Sequence, residues 1–179
     1  MKVATTIKLS LTMLAAAFLL FSASKFVQAE EFRRQHAEQE QIKTVVSRQL
    51  DCLAKNIYFE AGNEPFEGKL AVAQVTINRS NHSRFPSDVC DVVYEKGRNA
   101  ETGKIVCQFS WFCEPRKKIT DKFMWEESML VAKLVLVGEM RHEKLEDALF
   151  YHATYVSPNW KNVKRITQIG RHIFYKSKQ

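Results

Sequence analysis

Apolar and polar positions alternate with different periods along the chain, and the changes of period mark its segments. Residues 9–23 form an almost uncharged apolar run, with LTMLAAAFLLF inside it. Lys2 and Lys8 precede the run, and Val27-Gln28-Ala29 follows it with the small-x-small spacing of a signal peptidase site. Residues 1–29 therefore read as a secretory leader. The run is short of the roughly 20 apolar residues that span a bilayer, so a retained anchor is the competing reading. Residues 30–48 are rich in Gln and Glu and lack Pro and Gly, which predicts an exposed helix or polar helical stalk. Residues 49–179 are left for one folded domain, whose patterned part ends near Tyr175.

Within that domain Leu50, Leu53, Ala54, Ile57, Tyr58 and Ala61 recur at helical spacing and make one apolar stripe. Gly62-Asn63 predicts a break through left-handed geometry. Pro65 then suits the start of a second helix. Its core stripe is Phe66, Leu70, Ala73 and Ile77, and a different face carries Glu67, Gln74 and Asn78. Phe85-Pro86-Ser87-Asp88 reads as a turn and cap before the short apolar segment 89–94. Residues 96–104 read as a polar loop, 105–111 as a strand, and 123–137 as a helix stopped at Gly138. Residues 148–151 and 172–175 look like short strands around an aromatic loop with Tyr155, Pro158 and Trp160. Helices first and strands later predict an α+β domain, not a βαβ repeat.

The 179 residues fit one domain, and 45% hydrophobic content with 12 Phe excludes a disordered chain. The formal net charge is +7. The leader holds Lys2, Lys8 and Lys25 and no acid, which leaves 24 basic against 20 acidic residues after it. That modest excess suits an anionic wall polymer or phospholipid head groups. No Arg-rich run with interleaved aromatics is present, so nucleic acid is not an expected partner. Cys52, Cys90, Cys107 and Cys113 all follow the leader, and an even count after export permits disulfides. Three pairings remain open, and a buried free thiol is the alternative for Cys52. No C-x-x-C spacing supports zinc.

Glu60 is the candidate chemical centre. At 100° per residue it falls about 20° outside Leu53, at the edge of the apolar stripe, with Phe59 on its other side. A carboxyl half-buried among such groups is driven toward its acid form, the form that protonates a leaving glycosidic oxygen. The bland alternative is a solvated helix-edge residue. Glu64 and Glu67 read first as acids favourable to a helix N-terminus. Glu67 is also placed to join Gln74 and Asn78 in binding sugar hydroxyls.

The stretch LAKNIYFEAGNEPFEGKLAVAQVTINRSNHSRFPSDVCDVVYE, followed by CQFSW, VAKLVLVG, ALFYHATYVSPNW and IGRHIFY, resembles the SleB/CwlJ-type cell-wall hydrolases, the spore-cortex-lytic family and its relatives. The resemblance covers roughly residues 50–175. It implies a lysozyme-like, mainly helical α+β fold with a small antiparallel sheet, acting on peptidoglycan glycan strands. It also implies that Glu60 is the catalytic acid, since it matches the Glu of the family's IYFEARGE-like motif. The Arg-Gly of that motif is Gly62-Asn63 here, which puts substrate affinity and the tuning of Glu60 in question.

A two-carboxylate glycosidase needs a second acid opposite the first, and none stands at a matched position. A single-acid lytic transglycosylase scheme fits better. Gln108, Ser110, Tyr151 and His152 are candidates to hold sugars, against structural readings as caps and strand core. The amidase reading requires a metal. His152 and His172 lack a second His at helical spacing, and His36, His82 and His142 lie in polar stretches. No metal or cofactor is expected. A non-catalytic wall-binding module, using Tyr155 and Trp160, is the other alternative. The leader implies an exported protein, periplasmic or at the cell wall, touching the membrane only through its N-terminal segment and anchored there if the leader is retained.

Overall fold

The computed structural model describes residues 2–99, 102–114 and 117–178, with side chains from Phe18 onward. Most of the apolar run at 9–23 therefore lies outside the described side chains. The chain divides into two units, residues 1–45 and 46–179. The first is the leading part of helix α1 (Lys2–Ala61). Its polar stretch is exposed and carries the i,i+3 pairs Arg33–Glu30 at 3.6 Å and Lys43–Glu40 at 3.7 Å. Among the described residues no helix is long and apolar enough to cross a membrane.

The second unit opens with the end of α1. Its predicted stripe holds: Leu53, Ala54, Ile57, Tyr58 and Ala61 are buried, and Leu50 packs at the margin. The left-handed break expected at Gly62-Asn63 is absent, because neither residue has a positive φ. The helix is closed instead by the Glu64 N–H donating to the Ala61 carbonyl at 2.9 Å. A Cβ at Gly62 would crowd the Tyr58 carbonyl at 2.5 Å as well as the Met124 side chain.

Helix α2 (Phe66–Ser80) follows Pro65. It is buried on two faces. Leu70, Ala73 and Ile77 join α1 and α5 (Lys122–Leu136) in one core, together with Val131, Ala132 and Val135. Ala71 and Val75 join a second core with Leu145, Ala148, Ile169 and Phe174. A helix buried nearly all round is a central helix, and that is why Gln74 on its polar face is fully buried. Phe66, expected in the core, is 42% exposed on the first turn.

Asp88 caps helix α3 (Val89–Val93) as expected, accepting from Cys90 N at 2.9 Å. Strands β1 (Lys96–Arg98) and β2 (Ile105–Cys107) pair antiparallel as a hairpin where a loop was expected. The strand expected over 105–111 ends at Cys107, and the short helix α4 (Ser110–Cys113) follows. β1 is the exposed segment Lys-Gly-Arg, with no apolar alternation to betray it. Helix α5 stops at Gly138, whose φ is 78°. A 3₁₀ turn (Glu143–Leu145) leads to β3 (Phe150–Ala153), β4 (Val163–Ile169) and β5 (His172–Ser177). These form one antiparallel sheet in the order β3-β5-β4. β4 escapes sequence reading because a register shift between Arg165 and Thr167 interrupts its two-residue period. The class is the predicted one, α+β and mainly helical with small antiparallel sheets.

All four cysteines are paired, Cys52 with Cys90 and Cys107 with Cys113. The first bond ties α1 to α3. It closes a loop of 38 residues, and a loop of that size is worth about 3–4 kcal/mol in the chain-entropy picture. The second closes the turn from β2 into α4, directly beside Trp111.

Candidate active site

Glu60 occupies the last turn of α1 and is half-buried. Three neighbours define its setting. Phe59 stacks on Trp111, with centroids 4.7 Å apart and planes at 28°. Trp111 is held from below: its indole N–H donates to Asn56 Oδ1 at 3.1 Å, and Asn56 Nδ2 donates to Thr76 Oγ1 at 3.1 Å. Tyr151, on β3 opposite Phe174 of β5, donates its hydroxyl to Glu60 Oε2 at 3.3 Å. The third neighbour is Arg79 of α2, buried between the rings of Phe85 and Phe109. Its Nε–H donates to the Leu149 carbonyl at 2.8 Å.

Burial pushes the Glu60 carboxyl above its ordinary value. The Tyr151 hydroxyl and the Arg79 charge pull it back without cancelling that rise, while the nearby Glu114 carboxylate adds to it. Burial and the Glu60 charge move Tyr151 far up from its own ordinary value. Tyr151 therefore keeps its proton and acts as a donor throughout the neutral range. Glu114 is itself paired with Lys117 at 3.0 Å. Tyr58, one turn below Ala61, accepts from the backbone N–H groups of Thr120 and Asp121 at 3.1 and 3.0 Å, and so pins the entry to α5 against α1.

Glu64, read from the sequence as an acid favourable to a helix N-terminus, lies in the turn before α2. It is 5% exposed. Its carboxylate accepts from Arg171 N at 2.9 Å and Arg171 Nε at 2.7 Å, in the turn between β4 and β5. Burial alone would raise this carboxyl, but the Arg171 donors outweigh burial and hold it below its ordinary value. Gly170 in the same turn has φ 55°, and a Cβ there would collide with the Glu64 carboxylate. His172, buried behind that turn, is lowered chiefly by burial, and its ring meets Tyr151 edge-on at 5.3 Å.

The other predicted sugar-binding residues scatter. Gln74 is fully buried, and its amide accepts from His142 N at 2.6 Å and donates to His142 O at 3.3 Å. Asn78 donates to the carbonyls of Leu145 and Ala148 at 2.7 and 2.9 Å. These bonds fasten the 3₁₀ turn to α2; they correct the expectation of a cleft-facing Gln74, while Asn78 lines a pocket with Asn81 and Asp147 that does not include Glu60. Glu67 is exposed on the first turn of α2. Gln108 and Ser110 are exposed on either side of buried Phe109, and the Gln108 N–H donates to the Glu95 carbonyl at 2.9 Å. His152 is locked by Ala153 O and the Tyr175 hydroxyl, both at 2.9 Å. Since neighbouring strand residues point to opposite faces, it lies on the side of β3 away from Glu60. Among the described residues no three of His, Cys, Asp and Glu are grouped to hold a metal ion.

Sequence reasoning missed Arg79, Asn56 and Trp111. Polar Asn56 beside Ile57 on a buried helix was the available signal, because a buried amide requires a partner.

The family model for cell wall hydrolases matches residues 63–175 of this chain. The chain belongs to the cell wall hydrolase family. Among curated relatives, the spore cortex-lytic enzyme of Oceanobacillus iheyensis is 30% identical over 132 residues, covering 71% of this chain and 41% of the relative. The spore cortex-lytic enzyme of Bacillus subtilis is 32% identical over 130 residues, covering 70% of this chain and 36% of the relative. The chain thus spans less than half the length of those relatives. Among solved structures, it is similar to the catalytic domain of the germination-specific lytic transglycosylase SleB from Bacillus anthracis, with TM-score 0.54 and 25% identity, covering 72% of this chain and 93% of that one. The SleB catalytic domain of Bacillus cereus gives the same TM-score and identity, covering 73% and 91%.

Proposed function

We propose that this chain cleaves peptidoglycan glycan strands at the N-acetylmuramic acid–N-acetylglucosamine bond as a lytic transglycosylase, with Glu60 as the single acid and base. The observation that carries this reading is a half-buried carboxyl, raised toward its acid form, with a permanently protonated Tyr151 on one oxygen. Glu60 gives its proton to the bridging oxygen as the bond to C1 of the muramic acid breaks. The carboxylate that remains is stabilised by the Tyr151 hydroxyl and by Arg79. It then takes the proton of the same sugar's 6-hydroxyl as that oxygen closes on C1, leaving an anhydro end and an acid ready for the next turn. No second carboxylate is required, and Glu114, the nearby acid, is already held by Lys117.

Residues 1–29 serve in this reading as an export leader, 30–48 as a stalk, and 49–179 as the catalytic domain, placing the enzyme in the periplasm or at the cell wall. Two disulfides support an oxidising compartment. The deciding experiment digests purified sacculi with the protein and weighs the released muropeptides. Anhydro ends, one water lighter than hydrolysis products, are expected. Full-mass reducing ends would reject the transglycosylase scheme, and released peptides with intact glycan would point to the amidase.

Tyr151→Phe tests the electrostatics. It removes a hydrogen bond that favours the carboxylate, so Glu60 moves further up, and the alkaline limb of the pH–rate profile is expected to shift to higher pH. The peak rate should fall about tenfold, because the carboxylate that forms loses a donor. An unmoved limb would show that Tyr151 does not tune Glu60.

A further inference from the structure

The face of β3 turned away from Glu60 carries chemistry that the cleavage scheme does not use. Phe150 and His152 lie on it, and Tyr175 of β5 is the register partner of Phe150. His152 stacks on Tyr175 at 5.3 Å and 25°. Over these rings stands Trp160, edge-on to His152 at 5.5 Å and to Tyr175 at 5.8 Å, and 5.9 Å from Phe150. Three rings hold the indole in place, yet Trp160 is 41% exposed. A core residue would be covered, and a stray surface aromatic would not be braced on three sides.

Trp160 and Phe150 form the apolar wall of a cavity of about 510 Å³, a size within the usual range for small-ligand sites. Apart from Val163, the rest of the lining is polar: the amides of Asn159 and Asn162, the Ser177 hydroxyl, and the cations Arg84 and Lys161. No acid lines it. Arg84 lies over the Phe150 ring at 5.8 Å and donates to the Ser177 hydroxyl, so its charge is fixed at the rim. Asn162 holds a left-handed backbone, φ 62°, while its carbonyl accepts from Lys178 N at 2.9 Å. The loop is therefore shaped and tied to the end of β5.

A flat ring face beside amides and two uncompensated cations suits a sugar ring with acyl-amide and hydroxyl groups and a carboxylate. We infer that this pocket is a non-catalytic saccharide site that grips a carboxylate-bearing N-acetylated glycan, a muramyl unit of a strand neighbouring the one being cut. The choice of occupant rests on the proposed function; the ring, amide and cation chemistry does not. Because the pocket and Glu60 lie on opposite faces of β3, its work is to keep the enzyme on an insoluble mesh.

The test uses the full chain carrying Glu60→Gln, so that binding is read without digestion. Trp160→Ala and Lys161→Glu are each added to it and co-sedimented with purified sacculi. Lys161 is exposed, so its substitution leaves the fold intact even if loss of Trp160 does not. Each is expected to weaken binding about fivefold or more, the scale of truncating one anchor of an interface. A soluble muropeptide tetrasaccharide should bind more tightly than uncharged chitotetraose. Sedimentation equal to the parent in both variants would overturn the site, and equal binding of the two tetrasaccharides would overturn its preference for a carboxylate. Cleavage by the Glu60→Gln parent would instead strike the catalytic reading and leave the binding comparison standing.

Discussion

Glu60→Gln is expected to lower muropeptide release by at least about 100-fold, since a positioned general acid contributes about 10²–10⁴ in rate. The same substitution is expected to make the protein more stable at neutral pH. Glu60 is held above its ordinary value by burial, so the folded state binds its proton more tightly than the unfolded chain does. Between the unfolded value and the raised folded one, the native state carries the extra proton, and stability falls as pH rises. Above the folded value the full penalty of a half-buried charge is present. Gln keeps the shape and can still accept from Tyr151, and it carries no charge at any pH. Thermal melts should therefore place Glu60→Gln above the parent at pH 7, with the gap closing on acidification toward pH 4. A variant that melts below the parent at pH 7, or that still releases muropeptides within tenfold of it, would refute the view of Glu60 as a strained acid. Activity should have the matching profile, fading as pH rises through the raised value because the acid form is the one that starts the reaction.

The half-buried position of Glu60 was legible in the sequence because a single helix carries it. The α1 stripe placed Glu60 at its own edge, and burial at the edge of a stripe is a local property of 3.6-residue periodicity. The stop of α5 at Gly138 and the cap at Asp88 were legible for the same reason. What was not legible depends on packing between distant segments. Gln74 and Asn78 sit on a polar face of α2, and an isolated helix would show that face to solvent. Here a 3₁₀ turn some 65–70 positions later in the chain covers it and takes both amides. Arg79 drew no reading from the sequence, yet it is buried between two rings and placed by the Leu149 carbonyl. The strand β4 hid behind its register shift. The pairing of four cysteines needed Cα–Cα distances of 5.2 and 5.9 Å that no spacing rule supplies. At Gly62 the space a Cβ would need is taken by the Tyr58 carbonyl and the Met124 side chain, which no sequence pattern reveals.

Glu64→Ala should unfold the domain earlier by about 5–10 °C. Glu64 stands in the turn after α1, four positions past Glu60, and its side chain is 3% exposed. Its two oxygens hold Arg171 N and Arg171 Nε, closing the β4–β5 turn onto the α1–α2 turn. Removal leaves the Arg171 N–H without its acceptor and frees a guanidinium. A buried pair broken from one side costs about 3–5 kcal/mol. The Arg171 side chain is 65% exposed, so solvent screening reduces that to about 2–3 kcal/mol, and for a chain of this size each kcal/mol moves the midpoint about 2–4 °C. The pH dependence runs opposite to that of Glu60. Glu64 is held below its ordinary value, so the unfolded chain binds its proton more readily, and stability rises with pH between the two values. The contribution is complete above the unfolded value and is lost as pH falls through the folded one. The melting difference between parent and Glu64→Ala should therefore be full at pH 7 and narrow below pH 4. A difference that stays constant down to pH 3 would mean that Glu64 acts by packing alone. The physical consequence is a division of labour within one turn of chain. The carboxyl at 64 is kept ionised so that the β4–β5 turn stays in place; β5 in turn pairs with β3 and sets Tyr151. Through Tyr151, the ionised acid at 64 helps hold the setting of Glu60, whose carboxyl is raised toward its acid form.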